Sequence, residues 1–323
     1  MKGENMNSNF IISLDFELIW GMHEGDIVNN SYNGNIKGGR KAIPDLLKLF
    51  EKHGIHATWA VVGLMFAENA EEARKYFPKE NMQPTYINMN ISPYPFIKDI
   101  DKPETDKELY FAPDIIEQVS KVNGQEIASH TFSHYYCREE GQTVEQFEAD
   151  MIAAKAIAED KGYKLTSFVF PKNQSVKEYV EVLSKLGFTA YRDDCDDWIH
   201  KNIKFRPLLR ILRLFDSYLP LTGLGGSTPV KDNGIVRLVG SGMFRPYFKP
   251  LAFMEKMKIK RIKKQMLHAA KNGLTFHLWW HPHNIGVMTE YHLAMIEEIL
   301  DYYEFLKKEY GMQSKNMAEA AEV

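Results

Sequence analysis

His130 and His134 stand four residues apart directly after a short apolar run, in Gln125 to Cys137, QEIASHTFSHYYC. On a helical turn, positions i and i+4 share a face, which would let both imidazoles meet one metal ion at about 2.0–2.1 Å. Packed and surface histidines show the same spacing, and two ligands do not complete a catalytic site. Such a site takes three protein ligands and keeps one position open, so a carboxylate or a third histidine has to arrive from elsewhere. Carboxylates are at hand in Phe10 to Trp20, FIISLDFELIW, a run of β-prone apolar residues that ends in acids. Asp15 and Glu17 are two apart, so an extended backbone points both to one face. Two like charges there are costly unless a positive group sits near them or they lie in solvent beyond the last sheet hydrogen bond. A third cluster is His277 to His283, HLWWHPH. Aromatic faces pack on pyranose rings and imidazole moves protons, which suits a sugar site. By alternation His277, Trp279 and His281 share a face, with His277 also fitting a packed core position. Five of the six residues from Arg192 to Asp197 are charged, and Trp198 follows them.

Taken in order, SLDFE, SHTFSH, FPKNQ, DDCDDW and LWWHPH resemble the motifs of the metal-dependent polysaccharide deacetylases, the NodB-homology group of carbohydrate esterases, of the surface-polysaccharide biosynthesis type. The resemblance spans residues 10–284. It implies a distorted (β/α)7 barrel and removal of an acetyl group from an N-acetylated amino sugar. It further implies a divalent metal, zinc foremost, on Glu17, His130 and His134, with Asp15 as general base and His281 as general acid. Lys172, Asn173, Asp194, Asp197, Trp198, Trp280 and His283 would bind substrate or support these groups, and a backbone N–H near Lys172 or Asn173 would stabilise the oxyanion. Two departures stand out. The commonest first motif has adjacent aspartates, whereas here Phe16 separates Asp15 from Glu17. The usual third motif has an arginine where this chain reads Val169-Phe170-Pro171-Lys172, which leaves that arginine's role open.

The elements that must position these residues follow from pattern. Gly21 to Gly39, rich in Asn and Gly, reads as a loop holding His23 above a strand. Arg40 to His53 carries Ile43, Leu46, Leu47 and Phe50 at helical spacing before Gly54. Ile55 to Gly63 is the next strand, giving strand, helix, strand within 63 residues, the mark of a parallel α/β unit. Six prolines interrupt residues 64–124, which read as an insertion of short helices. Glu126 to Ser129 is a strand, and Thr143 with Gln146 forms a capping box for a helix turning Phe147, Met151, Ala154 and Ile157 inward. Thr166 to Phe170 and Phe188 to Tyr191 are strands flanking a helix over Val176 to Leu186. Ile235 to Val239 and Leu274 to Trp280 are later strands, and Tyr291 to Leu306 is a final helix. These give about seven strand-helix repeats in one domain over residues 1–323, with a second insertion at 199–232 and a C-terminal helix and tail at 285–323. Every candidate site residue falls at a strand's C-terminal end, where barrel enzymes build their sites.

Composition narrows the class. A 323-residue chain that is 44% hydrophobic can bury a large core, and a net charge of −3 argues against a general nucleic-acid binder. Two cysteines, Cys137 and Cys195, form no disulfide framework and fit a reducing compartment. No apolar run reaches the roughly 18 residues of a spanning helix, and the polar start MKGENMNSN shows no signal peptide, so a cytoplasmic protein is expected. Lys201 to Leu221 interleaves Lys201, Lys204, Arg206, Arg210 and Arg213 with large apolar residues, and Lys256 to Lys264 holds six more positive charges. These stretches read either as helices packed on the barrel with a basic face in water, or as contacts to an anionic partner. That partner would be the inner membrane face or the pyrophosphate of a nucleotide- or lipid-linked sugar. A metal-dependent amidohydrolase acting on a non-sugar amide and a non-catalytic carbohydrate-binding homologue are the rival functions.

Overall fold

The computed structural model describes residues 8–22, 32–97, 100, 102, 105–194, 198–203 and 205–322. Among the described residues ten strands form one sheet: β1 Asn9–Phe16, β2 Ala57–Val61, β3 Gln125–Ser129, β4 Ser167–Val169, β5 Ala190–Asp193, β6 Val230–Asp232, β7 Ile235–Val239, β8 Gly242–Met243, β9 Thr275–Trp280 and β10 Gln313–Lys315. Parallel pairing runs β1 to β2 to β3 to β4 to β5 to β7, and on the other side β1 to β9 to β8. Only Gly240 and Ser241 separate β7 from β8, and their amides bond to Asp193 on β5 and His277 on β9 at 2.9 and 2.8 Å. The segment from β7 to β8 is therefore one stave that closes the ring. The result is a distorted seven-staved β/α barrel in a single domain, as the strand-helix count implied. A helix follows each stave: Asn33–Lys52, Pro113–Ser120, Val144–Asp160, Lys177–Lys185, Arg206–Asp216, Glu255–Asn272 and Thr289–Tyr310.

Alternation along β1 organises the molecule. Phe10, Ile12, Leu14 and Phe16 point outward into the main core under the helices. Ile11 points inward and joins Ala60, Val169, Ala190, Val236 and Leu238 in a small inner core. Met317 and Ala320 of the C-terminal turn pack into this floor, and β10 pairs with the start of β1. Above Ile11 the inward column continues Ser13, Asp15, Glu17, rising from an apolar floor to a polar mouth.

Several boundaries differ from expectation for physical reasons. The first helix begins at Asn33, inside the stretch that composition marks as loop. Its glycines serve close approach: a Cβ on Gly38 would lie 1.9 Å from the Gly286 carbonyl oxygen, so the helix lies directly against the turn after β9. His130 and His134 are not on a helix. The chain turns through left-handed Thr131 and His134, at φ 64° and 57°, and the Thr131 hydroxyl accepts from the Tyr135 amide at 2.7 Å. The helix Arg206–Asp216 does not bury its apolar stripe, because Phe205, Ile211 and Phe215 are 68%, 51% and 38% exposed. Conversely Lys258 and Arg261, in the basic run, turn inward to pair with Glu255 and Asp216, each at 2.6 Å. Among the described residues no helix is long and apolar enough to cross a membrane.

His277 is fully buried on β9, with Nε2 2.8 Å from the Ser13 hydroxyl. Burial, aided by the charge of Arg192, pushes its pKa down to about 3. The unfolded chain therefore binds this proton first as pH falls, so the stability tied to neutral His277 is intact above about pH 6.5 and drains away below it. The expected slope is up to about 1.4 kcal/mol per pH unit between pH 6 and 4 from this residue. Denaturant unfolding at several pH values should show a flatter dependence in His277→Gln. Parallel curves for the two proteins would contradict the account.

Candidate active site

The mouth of the barrel is built on the turn that ends β1. Leu18 adopts φ 47° and the Trp20 amide bonds back to the Glu17 carbonyl at 3.0 Å, which lifts Glu17 over the barrel axis. A Cβ on Gly21 would lie 2.1 Å from Glu17 Cδ, so glycine there makes room for the carboxylate. Glu17 Oε2 lies 3.0 Å from His134 Nε2 and 3.4 Å from His130 Nε2, all three buried. A tetrahedral ion with 2.0–2.1 Å bonds has ligand-to-ligand edges of about 3.3–3.4 Å, close to the two distances from Glu17. His130 Nδ1 faces the Val169 carbonyl at 2.8 Å; the N–H therefore belongs on Nδ1, and the Nε2 lone pair is aimed at the cluster. Among the described residues Glu17, His130 and His134 are the group of acids and imidazoles close enough to hold a metal.

Asp150, from the helix Val144–Asp160, holds the histidine loop in shape. Its carboxylate accepts from the Phe132 amide at 2.7 Å, from the Ser133 amide at 3.4 Å and from the Ser133 hydroxyl. Burial pushes its pKa up to about 6 despite these bonds. The sequence does carry a signal for it, since Asp150 falls on the stripe of Phe147, Met151 and Ala154 that faces inward.

Asp15 lies one step deeper than Glu17 and answers the question of the like charges. Arg192 on β5 grips it with two parallel bonds, Nη1 to Oδ1 at 2.6 Å and Nη2 to Oδ2 at 2.7 Å. The same guanidinium donates to Ser13 Oγ at 3.0 Å and to Asn173 Oδ1 at 2.9 Å, and stacks on Trp279 at 4.4 Å. Burial opposes ionisation of Asp15, but Arg192 and then His281 outweigh it and hold the carboxyl below its usual range. Glu17 is likewise disfavoured by burial, yet His281, His130 and His134 keep it well below the ordinary value. Sequence reading did not single out Arg192 as the partner of Asp15.

His281 Nε2 stands between the two acids, 3.5 Å from Glu17 Oε1 and 3.7 Å from Asp15 Oδ2, with 21% of its side chain exposed. His283 stacks on it at 4.9 Å, buried, its pKa pushed down to about 3 by burial and by His281. Trp280 does not belong to the site. It is fully buried on the outer face of β9, edge-on to Phe50 and Phe244, because alternation turns it away from its neighbours. Trp279 is the tryptophan at the mouth, 5.9 Å from His281. Lys172, at φ 54°, places its ammonium over the Tyr136 ring at 4.1 Å. The Asn173 amide donates to the Phe170 carbonyl at 2.9 Å and is not free to hold an oxyanion. Asp194 lines the pocket beside Trp279, while Trp198, 46% exposed, donates to the Leu221 carbonyl at 3.0 Å. Asp197 and His23 lie outside the described residues.

Residues 33–191, which include both cluster histidines and Asp150, match the family model described as polysaccharide deacetylase. That segment, just under half of the chain, is a polysaccharide deacetylase domain. Solved structures similar in fold include one described as a polysaccharide deacetylase from Mycobacterium smegmatis, at 12% identity and TM-score 0.60, covering 98% of this chain and 90% of that one. Another, described likewise, is from Pseudomonas aeruginosa PAO1, at 13% identity and TM-score 0.54, covering 97% and 88%. Puue allantoinase is similar at 14% identity and TM-score 0.53, covering 99% and 91%. No curated protein sequence matches the chain. At the barrel mouth, three atoms that could hold a metal lie on one side, with a carboxylate and an imidazole beside them.

Proposed function

We propose that this protein removes the N-acetyl group from an amino sugar in a precursor of a cell-surface polysaccharide, with zinc held by Glu17, His130 and His134. The observation that carries the reading is the closeness of that cluster to the Asp15–Arg192 pair and to His281, all at the C-terminal mouth of the barrel. When bound, the metal supplies a Lewis acid that polarises the acetyl oxygen and makes a water acidic enough to attack near neutral pH. Asp15 takes the proton of the attacking water, and Arg192 fixes the direction of its carboxylate. His281 gives a proton to the departing nitrogen, without which an amine is a poor leaving group. The half-buried Trp279 offers a face for the pyranose ring.

The test is acetate release from a panel of N-acetylated sugars, run beside ammonia release from small amides. Acetate from sugars alone supports the proposal. Ammonia from amides alone would favour an amidohydrolase, and neither product from metal-loaded protein would favour a non-catalytic carbohydrate binder.

The precursor is assigned a phosphate-linked carrier, nucleotide or polyprenyl, handled at the cytoplasmic face of the membrane. The outward stripe Phe205, Leu208, Ile211 and Phe215, with exposed Arg210 on the same helix, supports contact with anionic lipid. Each basic residue near such a surface contributes about 1 kcal/mol, an attraction that salt screens. Co-sedimentation with anionic vesicles is expected at low salt and should weaken in Ile211→Asp. Absence of binding at low salt would remove the membrane from the proposal.

A further inference from the structure

Beside the reaction centre lies a second concavity of about 70 Å³, several times what one water needs. Three arginines line it: Arg213 from the helix Arg206–Asp216, Arg245 from the segment after β8, and Arg261 from the helix Glu255–Asn272. Arg261 pairs with Asp216 at 2.6 Å, and the other oxygen of Asp216 accepts from the Thr222 amide and hydroxyl at 2.8 and 2.9 Å. Asp216 is thereby engaged, and Arg213 and Arg245 have no carboxylate partner among the described residues. Burial and the like charge of Arg213 push the pKa of Arg245 down, against a smaller opposing pull from Asp216. Trp279 forms one wall of this pocket, and the same indole touches Arg192 and lies against His281. The pocket and the reaction centre are thus separated by a single side chain.

We infer that this pocket is a phosphoryl subsite: the N-acetylated sugar enters on a phosphate ester whose charge rests on Arg213, Arg245 and Arg261 while its acetamide faces Glu17, His130 and His134. Two guanidinium groups with no carboxylate partner among the described residues call for a doubly charged oxyanion, since a single carboxylate would leave one charge uncompensated. The planar fork of arginine matches phosphate oxygens in pairs. The inference rests on the deacetylase reading for the identity of the sugar, though the pocket's affinity for phosphate can be measured apart from it.

The test titrates metal-loaded protein with glucose 1-phosphate, which carries the phosphoryl group and no acetamide. Wild type should bind, and Arg213→Gln and Arg245→Gln should each weaken binding tenfold or more. Arg213 makes no side-chain hydrogen bond among the described residues, so its replacement is not a folding hazard, and retained metal content checks both variants. No binding by wild type, or binding unchanged in both variants as for phosphate sitting on the metal, would overturn the subsite even if acetate release from sugars is observed. Phosphate binding that needs both arginines, with no acetate released from any sugar, would sustain the subsite and sink the deacetylase reading instead. A second arm compares a nucleoside-diphosphate N-acetylhexosamine and a polyprenyl-phosphate one in detergent with the neutral methyl glycoside. A KM lower for either phosphorylated form, rising tenfold in Arg213→Gln at near-constant kcat, supports the inference and names the carrier. Equal KM for all three contradicts it.

Discussion

Glu17→Gln, His130→Ala and His134→Ala are each expected to lose metal and acetate release together, with activity falling to background. The three atoms lie close enough together to hold one ion, and a site with three protein ligands loses most of its affinity when one goes. The variants should differ in a second respect. His130 is anchored through the Val169 carbonyl, so its removal empties one wall, whereas removing Glu17 takes away the one anionic group of the cluster and leaves two neutral imidazoles, 5.1 Å apart between ring centres, to face a dication. Excess metal should therefore restore less occupancy in Glu17→Gln than in either histidine variant. Elemental analysis of dialysed protein checks the first expectation, and titration with zinc checks the second. Full metal stoichiometry in all three variants would remove these residues from the role of ligands.

The second large effect concerns Asp15 and its guanidinium. Asp15→Asn should keep the metal and lower turnover by about 10²–10⁴-fold, because the proton acceptor is gone. Arg192→Met should also keep the metal, yet behave differently. Breaking a buried pair by removing one partner costs about 3–5 kcal/mol, since the carboxylate is left with no compensating charge. Asp15 is held below its usual range chiefly by Arg192, so its contribution to stability is present above the unfolded carboxylate value and lost as pH falls through the folded one. Without Arg192 the carboxyl rises, and the acid limb of the pH–rate profile should move to higher pH while the maximum falls. That displacement separates an electrostatic role for Arg192 from mere loss of packing. If Asp15→Asn emptied the metal site instead, the division of labour between Asp15 and Glu17 would have to be redrawn.

Much of the site was legible because period two along a strand is a strong rule. It put Asp15 and Glu17 on one face and His277, Trp279 and His281 on another, and both columns point into the barrel. The same rule assigns Trp280 to the outer core, where it is found, although its neighbours had suggested a place in the site. Arg192 was harder to read. It opens a run of acids, so its charge suggests a local partner, and only the pairing of β5 with β4 and β7 reveals that it reaches across the barrel to Asp15. The glycines of the first helix were legible as glycines but not as packing, because close approach to the turn after β9 is a tertiary fact. The apolar stripe of the helix Arg206–Asp216 looked like a buried face because spacing reports periodicity and not what covers it.

The most direct test of the account is acetate release from an N-acetylated amino sugar by one preparation in three states: as purified, after chelation and dialysis, and after return of one equivalent of zinc. The account predicts release by the first, none by the second and recovery in the third, with one metal per chain. Release that survives removal of the metal, or one bound metal per chain with no acetate from any N-acetylated sugar, would contradict it.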